Sequence, residues 1–269
     1  MSTLTLTTIQ TDLIWEDKVA NLTMLEEKIM SIHEKTELVI LPEMFNTGFT
    51  MQPEKFAETV DGNSIKWMKT IAAKKRIVIT GSLAIKEGDN YFNRLIWMLP
   101  NGQYGFYDKR HLFGYANEDQ HYTAGTKRFI ASLNGWKINL QVCYDLRFPV
   151  WARQTAITGN TQAPEFDLLI YVANWPERRS LAWTTLLQAR AIENQCFVVG
   201  VNRVGNDGQD IYHGGNSMVI DPLGEVMYNK KDEEAIFTIT LKKNQLQEVR
   251  EKLPFLKDAD SFLILPNDE

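Results

Sequence analysis

Leu38-Val39-Ile40-Leu41 is an apolar run without a polar break, closed by Pro42. An unbroken run of this kind reads as a strand covered on both faces, and the proline ends its hydrogen bonding. Leu168 to Ala173 and Cys196 to Val201 repeat the pattern over six residues each. Strands of this type need cover above and below.

The intervening stretches can supply it. Val19, Leu22, Leu25, Ile29 and Ile32 recur every three or four residues, as a helix face does, and Ile65, Met68 and Ala72 do the same within Ser64 to Lys75. Leu181, Thr184, Leu187 and Ala191 form a stripe along Ser180 to Gln195, and Lys243 to Lys252 reads as a short polar helix. Extended segments are expected at Thr3 to Thr7, Ile77 to Leu83, Tyr91 to Leu99, Tyr104 to Lys109, Trp136 to Cys143, Ser217 to Ile220, Glu225 to Tyr228 and Ala235 to Leu241. Asn101-Gly102 marks a hairpin turn. The succession predicts an α/β layered domain, and 269 residues can bury one large core, so a single domain over residues 1–269 is expected. Strand order is not readable from the pattern.

Charge and composition narrow the partners. The 29 Lys and Arg against 34 Asp and Glu leave a formal charge of −5, and no basic stripe gathers to meet phosphates, which argues against nucleic acid. Apolar runs of six residues fall far short of the ~20 that a membrane helix needs. The opening residues hold no basic segment, and Asp12, Glu16 and Asp17 interrupt any apolar stretch, so no secretory signal is read and a cytoplasmic protein is expected. Cys143 and Cys196 form no CxxC pair, and no Cys/His cluster has zinc spacing, so neither a disulfide framework nor a metal site is indicated. Small molecules remain the expected ligands.

Three reactive side chains stand where predicted strands stop. Cys143 ends the alternating segment that begins at Trp136, a place where open α/β sheets put ligands, although a buried core cysteine is the competing reading. Glu43 follows the apolar run directly, where desolvation would raise its pKa toward that of a general base; a surface carboxylate is the alternative. Lys109 closes Gly105-Phe106-Tyr107-Asp108, and its ammonium near a thiol would favour a thiolate or an oxyanion, unless it is simply exposed. Cys196, opening an apolar strand, reads as structural. Periodicity permits the three to meet without requiring it.

Leu41-Pro42-Glu43-Met44-Phe45, Tyr107-Asp108-Lys109-Arg110-His111-Leu112-Phe113 and Val142-Cys143-Tyr144-Asp145-Leu146-Arg147-Phe148-Pro149 resemble the glutamate, lysine and cysteine signatures of the nitrilase superfamily of carbon-nitrogen hydrolases. Tyr171-Val172-Ala173-Asn174-Trp175-Pro176 and Ala189-Arg190-Ala191-Ile192-Glu193-Asn194 are similar to its later strand and helix, so the likeness covers nearly the whole chain. It implies an αββα sandwich whose subunits pair through helices as a homodimer. Glu43-Met44-Phe45-Asn46-Thr47-Gly48-Phe49, together with Asn174-Trp175-Pro176, is most similar to bacterial omega-amidases, which deamidate 2-oxoglutaramate, 2-oxosuccinamate and related 2-oxo acid amides. The family also uses a glutamate between its lysine and cysteine, and Glu118, beside Asp119, is the matching position.

The resemblance implies an amide hydrolase without metal or organic cofactor, working through a cysteine thioester. Glu43 would take the thiol proton, Lys109 and the Tyr144 N–H would hold the oxyanion, and Glu118 would orient Lys109. Arg147 carries a fork of donors suited to a substrate carboxylate or, equally, to a structural ion pair. Phe45, Phe113, Tyr144 and Trp175 are candidate pocket walls, with packing as the alternative. His111 and His121 open a Cys-His alternative that the closer match to the Glu-Lys-Cys set disfavours, and His33 and His213 read as a helix end and a loop residue. Nitrile or N-carbamoyl amino acid hydrolysis would use the same three residues, and a non-catalytic binding protein on the same fold is the reading outside enzymes.

Overall fold

The computed structural model describes residues 2–154, 164–260 and 262–265. Its first half runs β1 (Thr3–Gln10), α1 (Lys18–Met30), β2 (Leu38–Ile40), α2 (Pro53–Phe56), α3 (Asn63–Lys75), β3 (Val78–Glu87), β4 (Asn90–Met98), β5 (Tyr104–Asp108) and α4 (Glu118–His121). The second half runs β6 (Ile130–Leu133), β7 (Trp136–Val142), α5 (Pro149–Ala152), β8 (Leu168–Ala173), α6 (Ser180–Asn194), β9 (Phe197–Asn202), β10 (Val204–Asn206), β11 (Tyr212–Ile220), β12 (Val226–Lys231), β13 (Ala235–Lys242) and α7 (Lys243–Lys252). One sheet has the order β13-β1-β2-β3-β4-β5; the other has β10-β11-β9-β8-β7-β6, with β12 paired to β11. The buried centre of each sheet is parallel, β1-β2-β3 in one and β7-β8-β9 in the other.

The apolar run that opens β2 explains the layering. Leu38 and Ile40 join Trp136, Ile138 and Leu140 in the core between the sheets. Val39 and Leu41 face the other way, into a second core with Leu25 and Ile29 of α1 and Met68 and Ile71 of α3. On the far side of the second sheet, Trp183, Leu187 and Ala191 of α6 pack against the strands. The layers are therefore helices, sheet, sheet, helix, the αββα sandwich that the motifs imply.

Two predicted helix positions differ. Val19 and Leu181 are 76% and 79% exposed, and the inward positions of α6 include Arg190 and Asn194. Arg190 is tolerated inside because its guanidinium donates to Leu146 O at 2.7 Å and to Glu193 Oε1 at 3.0 Å. A stripe drawn through apolar residues alone therefore runs off the true buried face. The strands β6 and β10, neither anticipated, extend the edges of the second sheet. No helix among the described residues is long and apolar enough to cross a membrane.

Candidate active site

The candidate reacting groups lie at strand exits. The segment after β2 is pinned along β3, with Leu41 N–H donating to Thr80 O at 2.8 Å and Phe45 N–H to Ser82 O at 3.1 Å, which delivers Glu43 to the interior. Lys109 follows β5, where the buried Arg94 of β4 grips the preceding Asp108 through both carboxylate oxygens at 2.6 and 2.9 Å. Cys143 follows β7 and opens a 3-10 turn, Cys143–Arg147, at a positive φ of 45°. A non-glycine residue held there costs about 1–3 kcal/mol, a strain that persists because its neighbours fix it. Asp145 does much of this fixing: fully buried, it accepts from Val142 N–H at 3.0 Å, Tyr107 O–H at 2.8 Å and His111 N–H at 2.9 Å. One carboxylate thereby joins the cysteine turn to the loop that follows Lys109.

Four polar side chains form a closed network. Lys109 Nζ donates to Glu43 Oε1 at 3.0 Å and to Glu118 Oε1 and Oε2 at 3.0 and 2.8 Å, and all three residues are fully buried. Asn93 of β4 donates through Nδ2 to both Glu43 Oε1 at 2.8 Å and Glu118 Oε1 at 3.1 Å. Glu43 Oε2 accepts from Asn174 N–H at 2.8 Å, and Glu118 Oε2 from Phe113 N–H at 2.6 Å. The thiol of Cys143 sits within reach of the charges of both Glu43 and Lys109. Glu118 and not the exposed Asp119 turns inward, which resolves the choice between neighbours in that loop.

Electrostatics set the protonation states. Burial favours a neutral Lys109, but the charges of Glu118 and then Glu43 outweigh it and hold the ammonium above its ordinary pKa. Burial, reinforced by the Glu43 charge and opposed by Lys109, pushes the Cys143 thiol well above its ordinary value. Burial also raises Glu118, with Lys109 opposing, as befits two carboxylates sharing one ammonium. The resting arrangement is a neutral thiol against a carboxylate, with a fixed cation beside both. Such a set can move the thiol proton during attack on a carbonyl and stabilise the oxyanion that forms.

A cavity opens above Cys143. Phe113, Tyr144, Arg147 and Trp175 line it, as do Phe49, Tyr115, Asn174 and Arg179. Phe45 does not: it is fully buried in the helix-side core, 5.9 Å from the Trp67 ring, and Gly81 leaves room for its ring on β3. Its expected place in the pocket wall is therefore corrected. His111 is also outside the lining; its Nδ1 lies 2.8 Å from Asp145 Oδ1 and its ring stacks 3.8 Å from Phe148. His121 is exposed, so the Cys-His alternative finds no base at the thiol. His213 does line the cavity, and burial beside the Arg203 charge lowers its pKa to about 4. Arg147 has no ion pair among the described residues; its guanidinium lies 4.9 Å over the Trp175 ring. Asn93, Asp145 and Arg179 are the site residues that sequence reasoning missed.

A fold of this kind with this set of groups defines an enzyme class, and the chain belongs to the carbon-nitrogen hydrolase family, whose pattern matches residues 5–251. It is a hydrolase of carbon-nitrogen bonds. Omega-amidase YafV of Yersinia enterocolitica is 42% identical over 98% of this chain and 100% of that protein. The 2-oxoglutaramate amidase of Bacillus subtilis is 31% identical over 94% of this chain and 96% of that one. Among solved structures, a CN-hydrolase superfamily protein of Xanthomonas campestris with an arsenic adduct in its active site superposes with a TM-score of 0.95 at 42% identity, covering 98% of this chain and all of that one.

Proposed function

We propose that this enzyme is an omega-amidase that converts 2-oxoglutaramate, 2-oxosuccinamate and similar 2-oxo acid amides to the 2-oxo dicarboxylic acid and ammonia. The observation that carries the reading is Cys143 against the buried Glu43-Lys109-Glu118 network, beneath a cavity edged by guanidinium groups that have no ion pair among the described residues. Cys143 Sγ attacks the amide carbon while its proton passes to Glu43. The oxyanion is held by Lys109 and by the N–H of Tyr144, which stands in the first turn of a helical segment where backbone donors lack intrahelical partners. As the C–N bond breaks, Glu43 returns the proton to nitrogen and ammonia leaves. Water, deprotonated by Glu43, then opens the thioester, and the thiol regains its proton. Glu118 orients Lys109 and balances its charge, and Arg147 holds the substrate carboxylate.

Ammonia release from 2-oxoglutaramate, measured beside release from a simple nitrile and an N-carbamoyl amino acid, tests this. Robust turnover of either rival with none of the oxo-amide would reject the proposed substrate. We further propose that residues 1–269 act as a single domain and that two copies pair through helices. The exposed Leu181 and Ile192 on α6, with Leu223 nearby in the chain's β11-β12 turn, support a covered apolar face. A single-subunit mass in light scattering at micromolar concentration would refute the dimer. Two buried free cysteines and a thiol-based reaction suit a reducing compartment, which supports the cytoplasm.

A further inference from the structure

Arg147, Arg178 and Arg179 all line the cavity above Cys143. The acidic groups nearest in the chain are already engaged. Glu177 Oε1 lies 2.8 Å from Lys231 Nζ, and its Oε2 accepts from Asn216 at 3.3 Å. Asp207, which also lines the cavity, closes its own turn by accepting through Oδ1 from the N–H groups of Gln209 and Ile211 at 2.9 and 3.0 Å. Among the described residues, neither Arg147 nor Arg179 has an ion pair. Partly buried guanidinium groups lining one cavity repel one another unless an anion joins them. Burial, and then the charges of Arg178 and Arg147, push the pKa of Arg179 down.

The two half-buried arginines share a support. Arg147 comes from the cysteine turn and lies over the Trp175 ring, while the indole N–H of Trp175 donates to Arg179 O at 2.8 Å. The Arg179 guanidinium lies 5.1 Å over the ring of Phe113, whose backbone N–H is held by Glu118. Resting on an aromatic face leaves the edge donors of a guanidinium free for a planar anion. Arg178 is exposed and has no such seat.

We propose that Arg179 is the second arm of an anion clamp completed by Arg147, and that the pair selects amides bearing a carboxylate remote from the scissile bond. The inference rests on the omega-amidase reading. It also bears on product release. Hydrolysis turns the amide end into a second carboxylate, which faces the two acids of the network while the first is held by the clamp. Repulsion at the new end assists release.

The test compares kcat/KM for 2-oxoglutaramate with that for butyramide, a neutral amide, in the full-length enzyme and in Arg179→Gln, Arg179→Lys and Arg178→Gln. Arg179→Gln should lower the ratio of the two values about 100-fold, mainly through KM for the anionic substrate, as expected for loss of one charge-assisted partner. Arg179→Lys should recover part of the loss, and Arg178→Gln should lower the ratio far less. Butyramide turnover in the same samples reports whether each variant is folded. An unchanged ratio in Arg179→Gln, or equal losses in Arg178→Gln and Arg179→Gln, would overturn the clamp. A parent enzyme that turns over butyramide but not the oxo-amide would overturn the substrate reading itself, whatever the variants do.

Discussion

The base of the cavity and its rim are built on opposite terms. At the base, Lys109 lies between Glu43 and Glu118, and each carboxylate has a further N–H donor, so the charges are satisfied before any ligand arrives. At the rim, Arg147 and Arg179 rest on aromatic rings, and neither has an ion pair among the described residues. A satisfied network does not need to reorganise when charge develops, which is the condition for electrostatic catalysis. An unsatisfied one acquires its missing partner from the substrate. Rate should therefore belong to the base, and substrate choice to the rim.

Breaking the base should have the largest effect. Lys109→Met leaves Glu43 and Glu118 facing each other, fully buried and without a cation. Turnover of 2-oxoglutaramate should fall about a thousandfold or more, because an oxyanion donor and the charge balance are lost together. Urea unfolding should show a loss of about 3–5 kcal/mol, the usual consequence of removing one member of a buried ion pair. Full stability in that variant would mean that the network is not held by its lysine.

Breaking the rim should spare stability. Arg147→Ala removes a cation resting on Trp175, worth about 1 kcal/mol or less. KM for 2-oxoglutaramate should rise on the order of 100-fold. KM for an uncharged amide should move much less. Equal losses on both substrates, or a drop in unfolding free energy matching that of Lys109→Met, would make Arg147 structural and erase the distinction between the two regions.

How much of this was legible in the sequence follows the same division. Glu43, Lys109 and Cys143 could be singled out because each stands just past an extended run, and strand exits are a local signal. Their convergence was not local, since Glu43 and Lys109 are 66 positions apart in a hydrogen bond that only the sheet order creates. Motif resemblance supplied that order. Phe45 was misplaced because it was read as a pocket wall from its place in the Glu43 motif, whereas Met44 between them takes a φ of 44° and Phe45 packs in the helix-side core. Asn93 escaped notice because a polar residue inside a strand looks like an exposed one until its partner, 50 positions away, is known. Arg179 was hidden by its setting, in a charged turn that reads as solvent-facing. Asp145 lay inside a quoted motif, but its three backbone and side-chain donors come from β5, β7 and the loop at His111.

The smallest expected effect is a missing one, in the pH profile. Burial, with the Glu43 charge, raises the pKa of the Cys143 thiol, so raising the pH through about 8.5, where free cysteine ionises, should add little thiolate. Lys109, whose pKa is raised because Glu118 and Glu43 outweigh burial, stays charged over the same interval. On the acid side the sign is opposite. Glu118, raised by burial, takes up a proton at a higher pH than an ordinary carboxyl group, and doing so removes charge that balances Lys109. kcat/KM should therefore fall as pH drops toward the carboxylate range and run flat from neutrality to about pH 9, where a preformed thiolate would produce a rise. Alkylation of Cys143 by iodoacetamide, followed by mass spectrometry over the same pH series, should show the same absence of an alkaline step. A clear increase in both through a pKa near 8 would mean that the thiol ionises before substrate arrives, and Glu43 would then have no proton to take during attack.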